Sequence, residues 1–186
     1  MPSLAGLHPL LRSRFSPLQF DPDHELSPDD ATLLVEAARW APSAGNSQPW
    51  GFFLARRGTP EHAMVVDRLT PSSRRWAPHA AMLVVNLAHR TVAGTDWAYS
   101  DFADYDVGQA VAHMTLQASA MGLACRQFRA FDLEGLAASL KLDEGWAIRT
   151  MTAIGGPIEH APISRERFEL EQLTAVARPG FPEPGV

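Results

Sequence analysis

The stretch Ala41-Pro42-Ser43-Ala44-Gly45-Asn46-Ser47-Gln48-Pro49-Trp50 decides how this chain is read. Upstream of it, Leu33, Leu34, Ala37, Ala38 and Trp40 recur at helical spacing. Downstream, Gly51-Phe52-Phe53-Leu54-Ala55 is an apolar run of strand length. Two prolines and a glycine between them stop the helix and force an irregular turn. Small side chains and the Asn46 amide fill that turn, a composition that lets the backbone approach a ligand closely. By composition alone it is equally an ordinary helix-to-strand connector.

Working outward, Leu4 to Arg14 reads as a short helix carrying Leu7, Leu10 and Leu11, ended by Phe15-Ser16-Pro17. Ser27-Pro28-Asp29-Asp30 is a helix start: serine caps, proline suits the first turn, and the acids favour the dipole. That helix runs to about Trp40. Another opens at Thr59-Pro60-Glu61 and runs to about Leu69, and Pro71 to Pro78 is an irregular connection. Ala81 to Ala88 is a strand so continuously apolar that both its faces must be covered. Thr91 to Tyr105 is aromatic and acidic without a clear period. A long helix from about Tyr105 to Met121 follows, with Gly122 to end it. Ala124 to Phe131 reads as a third strand, Asp132 caps a short helix to about Leu140, and Ile148 to Ile154 is a fourth strand. The proline- and glycine-rich residues 179–186 read as a loose tail. No repeat is evident, and 186 residues suit a single domain, 1–186.

Composition excludes several functions. A net charge of -5 gives no reason to expect nucleic acid or an anionic membrane surface as partner. Cys125 is the only cysteine, so a reducing, cytoplasmic compartment is the expectation; it reads as a packed small hydrophobe. The N-terminus lacks the pattern of a signal peptide. The apolar stretch from Val107 to Leu123 is interrupted by Gln109, His113, Gln117 and Ser119, which marks a helix buried in protein and not in a membrane. Asp21-Pro22-Asp23-His24-Glu25 superficially resembles a metal cluster. No second ligand group stands at regular spacing, so it reads as a solvated turn and no metal is expected.

Five segments in order carry a resemblance. They are the 41–50 loop, Asp106-Val107-Gly108-Gln109 through Ala118, Gly122-Leu123 with Phe131-Asp132, Ile154-Gly155-Gly156-Pro157, and Arg165-Glu166-Arg167 with Leu170-Glu171. Together they resemble the FMN-dependent nitroreductase family over roughly Arg14 to Leu173. The resemblance implies an α+β, three-layer α/β/α fold with a largely antiparallel four-stranded sheet. It also implies a homodimer in which a C-terminal extension is exchanged with the partner.

It further implies a site. FMN carries its own redox centre, so the protein must hold, tune and partly expose it. Arg14 and Ser16 match the family's N-terminal phosphate motif, and Arg165 and Arg167 match the basic pair that closes on the same phosphate. Pro42, Ser43, Ala44 and Asn46 match the loop lent by the second subunit to the ribityl chain and ring edge. Gln48, Pro49 and Trp50 shape that loop. Arg129 and Ala130 lie where relatives direct a backbone N–H at flavin N5, with alanine where many have glycine. Ser73 and Arg74 fall where polar groups approach the pyrimidine edge. Leu18 is a departure: the family usually has a second basic residue there, a role that Arg74 or Arg75 could take over. Gln109, His113 and Gln117 form a polar stripe on the central helix, read as interface hydrogen bonding. Small residues at Gly108, Ala110, Ala112, Ala118 and Ala120 suit close packing with another helix.

By resemblance the reaction is ping-pong. NAD(P)H delivers hydride to flavin N5 and leaves, and a nitroaromatic, quinone or similar electron-poor small molecule takes the electrons. No catalytic side chain is required. The rivals are another flavin reaction on the same fold, such as reductive dehalogenation or heterocycle oxidation, and a flavin-storage protein with poor turnover.

Overall fold

The structure is a computed structural model that describes residues 6–91, 95, 100–158 and 166–174, for 100 and 101 the backbone only. Its strands are β1 (Trp50–Arg56), β2 (Met82–His89), β3 (Ala124–Phe128) and β4 (Trp146–Gly155), in the sheet order β1-β2-β4-β3 with every pairing antiparallel. Its helices are α1 (Pro9–Ser13), α2 (Pro28–Arg39), α3 (Pro60–Asp67), α4 (Pro71–Arg74), α5 (Ser100–Ala120), α6 (Leu133–Leu140) and α7 (Leu170–Thr174).

The period-two alternation of β2 sorts its side chains into two cores. Leu83, Val85 and Leu87 pack with Phe20, Val65, Leu69 and Leu136 on the α3 and α6 side. Met82 and Val84 pack with Leu34, Ala38, Ala110, Met114 and Ala118 on the α2 and α5 side. This is the three-layer arrangement, and β2 is apolar on both faces because helices cover both. Its buried polar residue, Asn86, donates from Nδ2 to the hydroxyls of Thr150 and Thr152 on β4.

Local signals produce the helix starts. Ser27 and Asp30 close a reciprocal capping box on α2, and those hydrogen bonds hold the Asp30 carboxyl below its usual range. Thr59 caps α3 and Asp132 caps α6 through side-chain oxygens. At the end of α5, Gly122 takes φ +76 and the Leu123 N–H reaches back to the Ala118 carbonyl.

Several boundaries differ from the sequence expectations. Within the described residues the first helix is only Pro9–Ser13. The connection from Pro71 to Pro78 contains α4 and a 3-10 turn at Ala77–His79. The long helix begins at Ser100 instead of Tyr105, because Ala103 is buried and Asp104 forms an ion pair with Arg149 of β4. The third strand ends at Phe128 instead of Phe131, for a reason given below. A short helix at Leu170–Thr174 was not foreseen. The small residues of α5 split: Ala110 and Ala118 face the chain's own core, while Gly108, Ala112 and Ala120 are exposed. Residues 179–186 lie outside the described residues. Among the described residues, no helix is long and apolar enough to cross a membrane, and no group of three His, Cys, Asp or Glu could hold a metal.

Candidate functional site

The 41–50 loop links α2 to β1 through a 3-10 turn at Ala44–Asn46. Gly45, Asn46 and Gln48 all take positive φ, at 56, 55 and 48 degrees. Asparagine tolerates the left-handed region, but for glutamine it costs about 1–2 kcal/mol, so other contacts must hold the loop in shape. Ser43 Oγ accepts the Gln48 N–H at 3.0 Å, and the Ala44 N–H donates to Asp106 Oδ2 of α5 at 3.0 Å. The result is a projecting turn in which Pro42, Gly45 and Asn46 are exposed and Ser43 and Ala44 are half-buried.

Arg14 sits at the other end of α5. With Ser13 and Phe15 it lines a hollow of about 200 Å³ whose far walls are Ser119, Gly122, Leu123, Ala124 and Pro157. From Asp106 to Ser119 the helix advances thirteen residues, about 20 Å. Within one chain, the loop and Arg14 therefore stand at opposite ends of α5. Ser16 is exposed just beyond Arg14. Arg167 is exposed in the C-terminal segment with its guanidinium on the Glu166 carbonyl, and Arg165 lies outside the described residues.

Leu18 is exposed, and a cation stands beside it that the sequence did not single out. Arg126 of β3 donates from Nη1 to the carbonyls of Pro17 at 3.2 Å and Leu18 at 3.5 Å. Its guanidinium lies 4.1 Å over the Trp76 ring. Arg74 does not take this role: it donates to the Val66 and Asp67 carbonyls at the end of α3. Arg75 is exposed beside Arg74 at the rim of a hollow floored by Leu69 and Pro71.

Ser73 also departs from expectation. It is 1% exposed, and its hydroxyl donates inward to the Ala130 carbonyl, which also receives the hydroxyl and N–H of Thr70. Ser73 thus holds Ala130 in place instead of presenting a hydroxyl outward.

Ala130 itself is explained by a β-bulge. Between β2 and β4 the register steps from Asn86 opposite Thr150 to Leu87 opposite Ile148, which leaves Arg149 as the extra residue. On the other side of β4, Phe128 pairs with Met151, and in that register Ala130 would fall opposite Arg149. The Arg149 carbonyl instead accepts Nη1 of Arg129 at 2.7 Å. Strand pairing stops there, and the half-buried Ala130 donates no hydrogen bond from its N–H among the described residues. Asp106, Arg126 and Arg149 were not foreseen as part of this region. The only signals were charged residues inside an apolar helix and apolar strands.

Cys125 is buried on the α5 side of β3, and burial pushes its thiol up to about 12, which suits packing and not nucleophilic chemistry.

The sequence profile of the nitroreductase family matches residues 11–93. Protein DrgA of Synechocystis sp. (strain ATCC 27184 / PCC 6803 / Kazusa) is 30% identical over 177 residues, covering 82% of this chain and 84% of its own. A shorter match, 38% identical over 50 residues, is to the major NAD(P)H-flavin oxidoreductase of Aliivibrio fischeri and covers 25% of this chain and 23% of that one. The crystal structure of an oxidoreductase containing FMN superimposes with a TM-score of 0.85 at 23% identity, over 95% of this chain and 94% of the other. A relative 30% identical over 82% of this chain, a matching profile and a shared fold agree: the chain belongs to the nitroreductase family.

Proposed function

We propose that the chain is an FMN-dependent oxidoreductase that takes reducing equivalents from NAD(P)H and passes them to electron-poor small molecules such as nitroaromatics or quinones. The observation that carries this reading is the Ala130 amide. Its carbonyl is fixed by Thr70 and Ser73, and the bulge at Arg149 has removed its strand partner. An N–H whose carbonyl is held fixed, and which has no acceptor among the described residues, is the donor that a flavin ring nitrogen calls for.

The remaining donor set fits FMN. Arg14, with Ser16, would hold the phosphate at its hollow, and Arg165 and Arg167 would close on it from the C-terminal segment. Ser43, Ala44 and Asn46 with Pro42 would cover the ribityl chain and ring edge, Ala130 would donate to the ring, and Arg129 would hold that turn. The flavin, when bound, supplies the redox chemistry, so the protein's task is orientation, charge and access.

The separation of the loop from Arg14 along α5 supports a homodimer, in which the loop of one copy serves the flavin held by the other. Trp40, Phe102 and Tyr105 are large apolar side chains exposed at the end of α2 and on α5, which a second copy would cover. The expected interface exceeds about 1,600 Å², and a flavin-loaded monomer in light scattering would contradict it. The lone buried Cys125 agrees with a cytoplasmic setting. Flavin storage drew its support from the missing charge at Leu18, and Arg126 beside that residue weakens it.

The test is purification followed by anaerobic addition of NADH or NADPH. A yellow protein that bleaches, and regains colour with a nitroaromatic or quinone, is expected. A colourless protein that takes up no FMN overturns the proposal, and a yellow one that neither nucleotide bleaches favours storage.

A further inference from the structure

The contact that ties the strained loop to the rest of the fold comes from a residue with no role in the reading above. Asp106 is only 2% exposed on α5. A buried carboxylate is costly unless hydrogen bonds satisfy it. Asp106 receives the Ala44 N–H at 3.0 Å and, on its other oxygen, Nε2 of Gln109 at 3.4 Å. For packing alone an apolar side chain among Val107, Ala110 and Val111 would serve the helix better.

What the carboxylate accomplishes is specific. It grips the first amide of the 3-10 turn, immediately before the left-handed residues Gly45, Asn46 and Gln48, of which glutamine is the one whose backbone needs outside support. The other side-chain bonds that shape the turn, from Gln48 N–H to Ser43 Oγ and from Gln48 Nε2 to the Asn46 carbonyl, lie within the loop and cannot set its position on the molecule. The Asp106 bond spans 62 residues and fixes the loop to the rigid central helix.

We propose that Asp106 is a positioning residue for the flavin site: by holding the Ala44 amide it keeps residues 42–48 in the one shape that can cover the ribityl chain and ring. This rests on the FMN reading given above. The bond requires an acceptor at one place and not a negative charge, so asparagine, whose amide oxygen occupies the same position, fulfils the role. Alanine does not, and glutamate, longer by one methylene, misplaces the acceptor.

The experiment uses the full-length protein with Asp106→Ala, Asp106→Asn and Asp106→Glu. One readout is hydrogen exchange of the 41–50 segment in the flavin-free protein, with β2 and β4 as internal controls. The other is titration with FMN and riboflavin. In Asp106→Ala, loop exchange should rise about tenfold or more while the strands stay unchanged. FMN and riboflavin should both weaken by about tenfold, the scale of one charge-assisted hydrogen bond. Asp106→Asn should stay within about threefold of wild type in every readout, and Asp106→Glu should resemble alanine at the loop.

Wild-type loop exchange and affinity in Asp106→Ala overturn the proposal. So does a rise in exchange shared equally by the strands, or an Asp106→Asn protein as impaired as alanine. If Asp106→Ala does not fold, the asparagine and glutamate variants decide: both matching wild type, or both equally impaired, overturns it. A wild-type protein that binds neither flavin defeats the functional reading, and the exchange measurement then decides the anchor by itself.

Discussion

Arg126→Met should destabilise the protein by about 2–3 kcal/mol, more than a partly exposed arginine on an edge strand ordinarily would. In the structure its guanidinium lies 4.1 Å over Trp76, which stacks on Phe20 and meets Phe128 edge-on at 4.9 Å. The same group donates to the Pro17 carbonyl at 3.2 Å and, more loosely, to that of Leu18 at 3.5 Å. Methionine keeps the length and apolar contact but removes the cation and its donors. Loss of the shorter charge-assisted bond costs about 1.5–3 kcal/mol at the buried Pro17. The cation–π contact adds about 0.5–1 kcal/mol at a half-exposed site, and the long bond to Leu18 adds little because water can replace it. Partial relaxation of the Pro17–Leu18 segment brings the total to the lower part of that sum. Urea unfolding of flavin-free protein at fixed concentration measures it, with an unchanged denaturant slope expected. Arg126→Lys should recover the cation but not the fork, for about half the loss. A methionine variant within about 0.5 kcal/mol of wild type would refute the reasoning and make the stack a surface contact without consequence.

Arg14→Ala should weaken FMN by about 1.5–3 kcal/mol and leave riboflavin, which lacks the phosphate, nearly unchanged; equal losses in parallel titrations would mean the arginine acts through folding. Cys125, whose thiol burial pushes up to about 12, should resist iodoacetamide in the native protein and react on unfolding. Its folded value lies above its unfolded one, so its contribution is complete at neutral pH and is lost as pH rises between about 9 and 12. Cys125→Ala should therefore show a shallower alkaline loss of stability in pH-dependent melts. Burial, and then the Arg57 charge, lowers the His62 pKa, so this group stabilises the fold above its unfolded value and loses that contribution as pH falls through the folded one. His62→Gln should flatten the acid side of the stability profile below about pH 6.5, and a slope identical to wild type would sink the assignment.

Much of the fold was legible because it depends on neighbours in sequence. The Ser27-Pro28-Asp30 start is complete within four residues, and the structure closes it as a capping box. The apolar run of β2 implied covered faces, and helices lie on both. Gly122 ended the long helix because few other residues adopt φ +76. The five ordered motifs pointed to the family, and the matching profile and the 30% identical relative agree. The start of α5 was not legible, since the pairing that supports its N-terminal end, Asp104 with Arg149 of β4, reaches across the fold.

The candidate site divides along the same line. Composition marked 41–50 as a loop whose backbone could approach a ligand, because proline and glycine act locally. Only the tertiary structure decided which groups are turned toward a ligand and which toward the chain itself. Ser72 and Ser73 are adjacent and chemically alike, yet Ser73 turns inward because the Ala130 carbonyl lies there. Arg74 and Arg126 are both plausible cations, and the contacts of α3 claim the first while Trp76 and Pro17 hold the second. The Ala130 amide, without an acceptor among the described residues, arises from a one-residue mismatch between the two sides of β4, and the left-handed loop is pinned by Asp106 from 62 residues away. Strand register and long-range hydrogen bonds depend on two segments at once. The residues of either segment alone therefore do not determine them, and these pairings control which polar groups remain for a ligand.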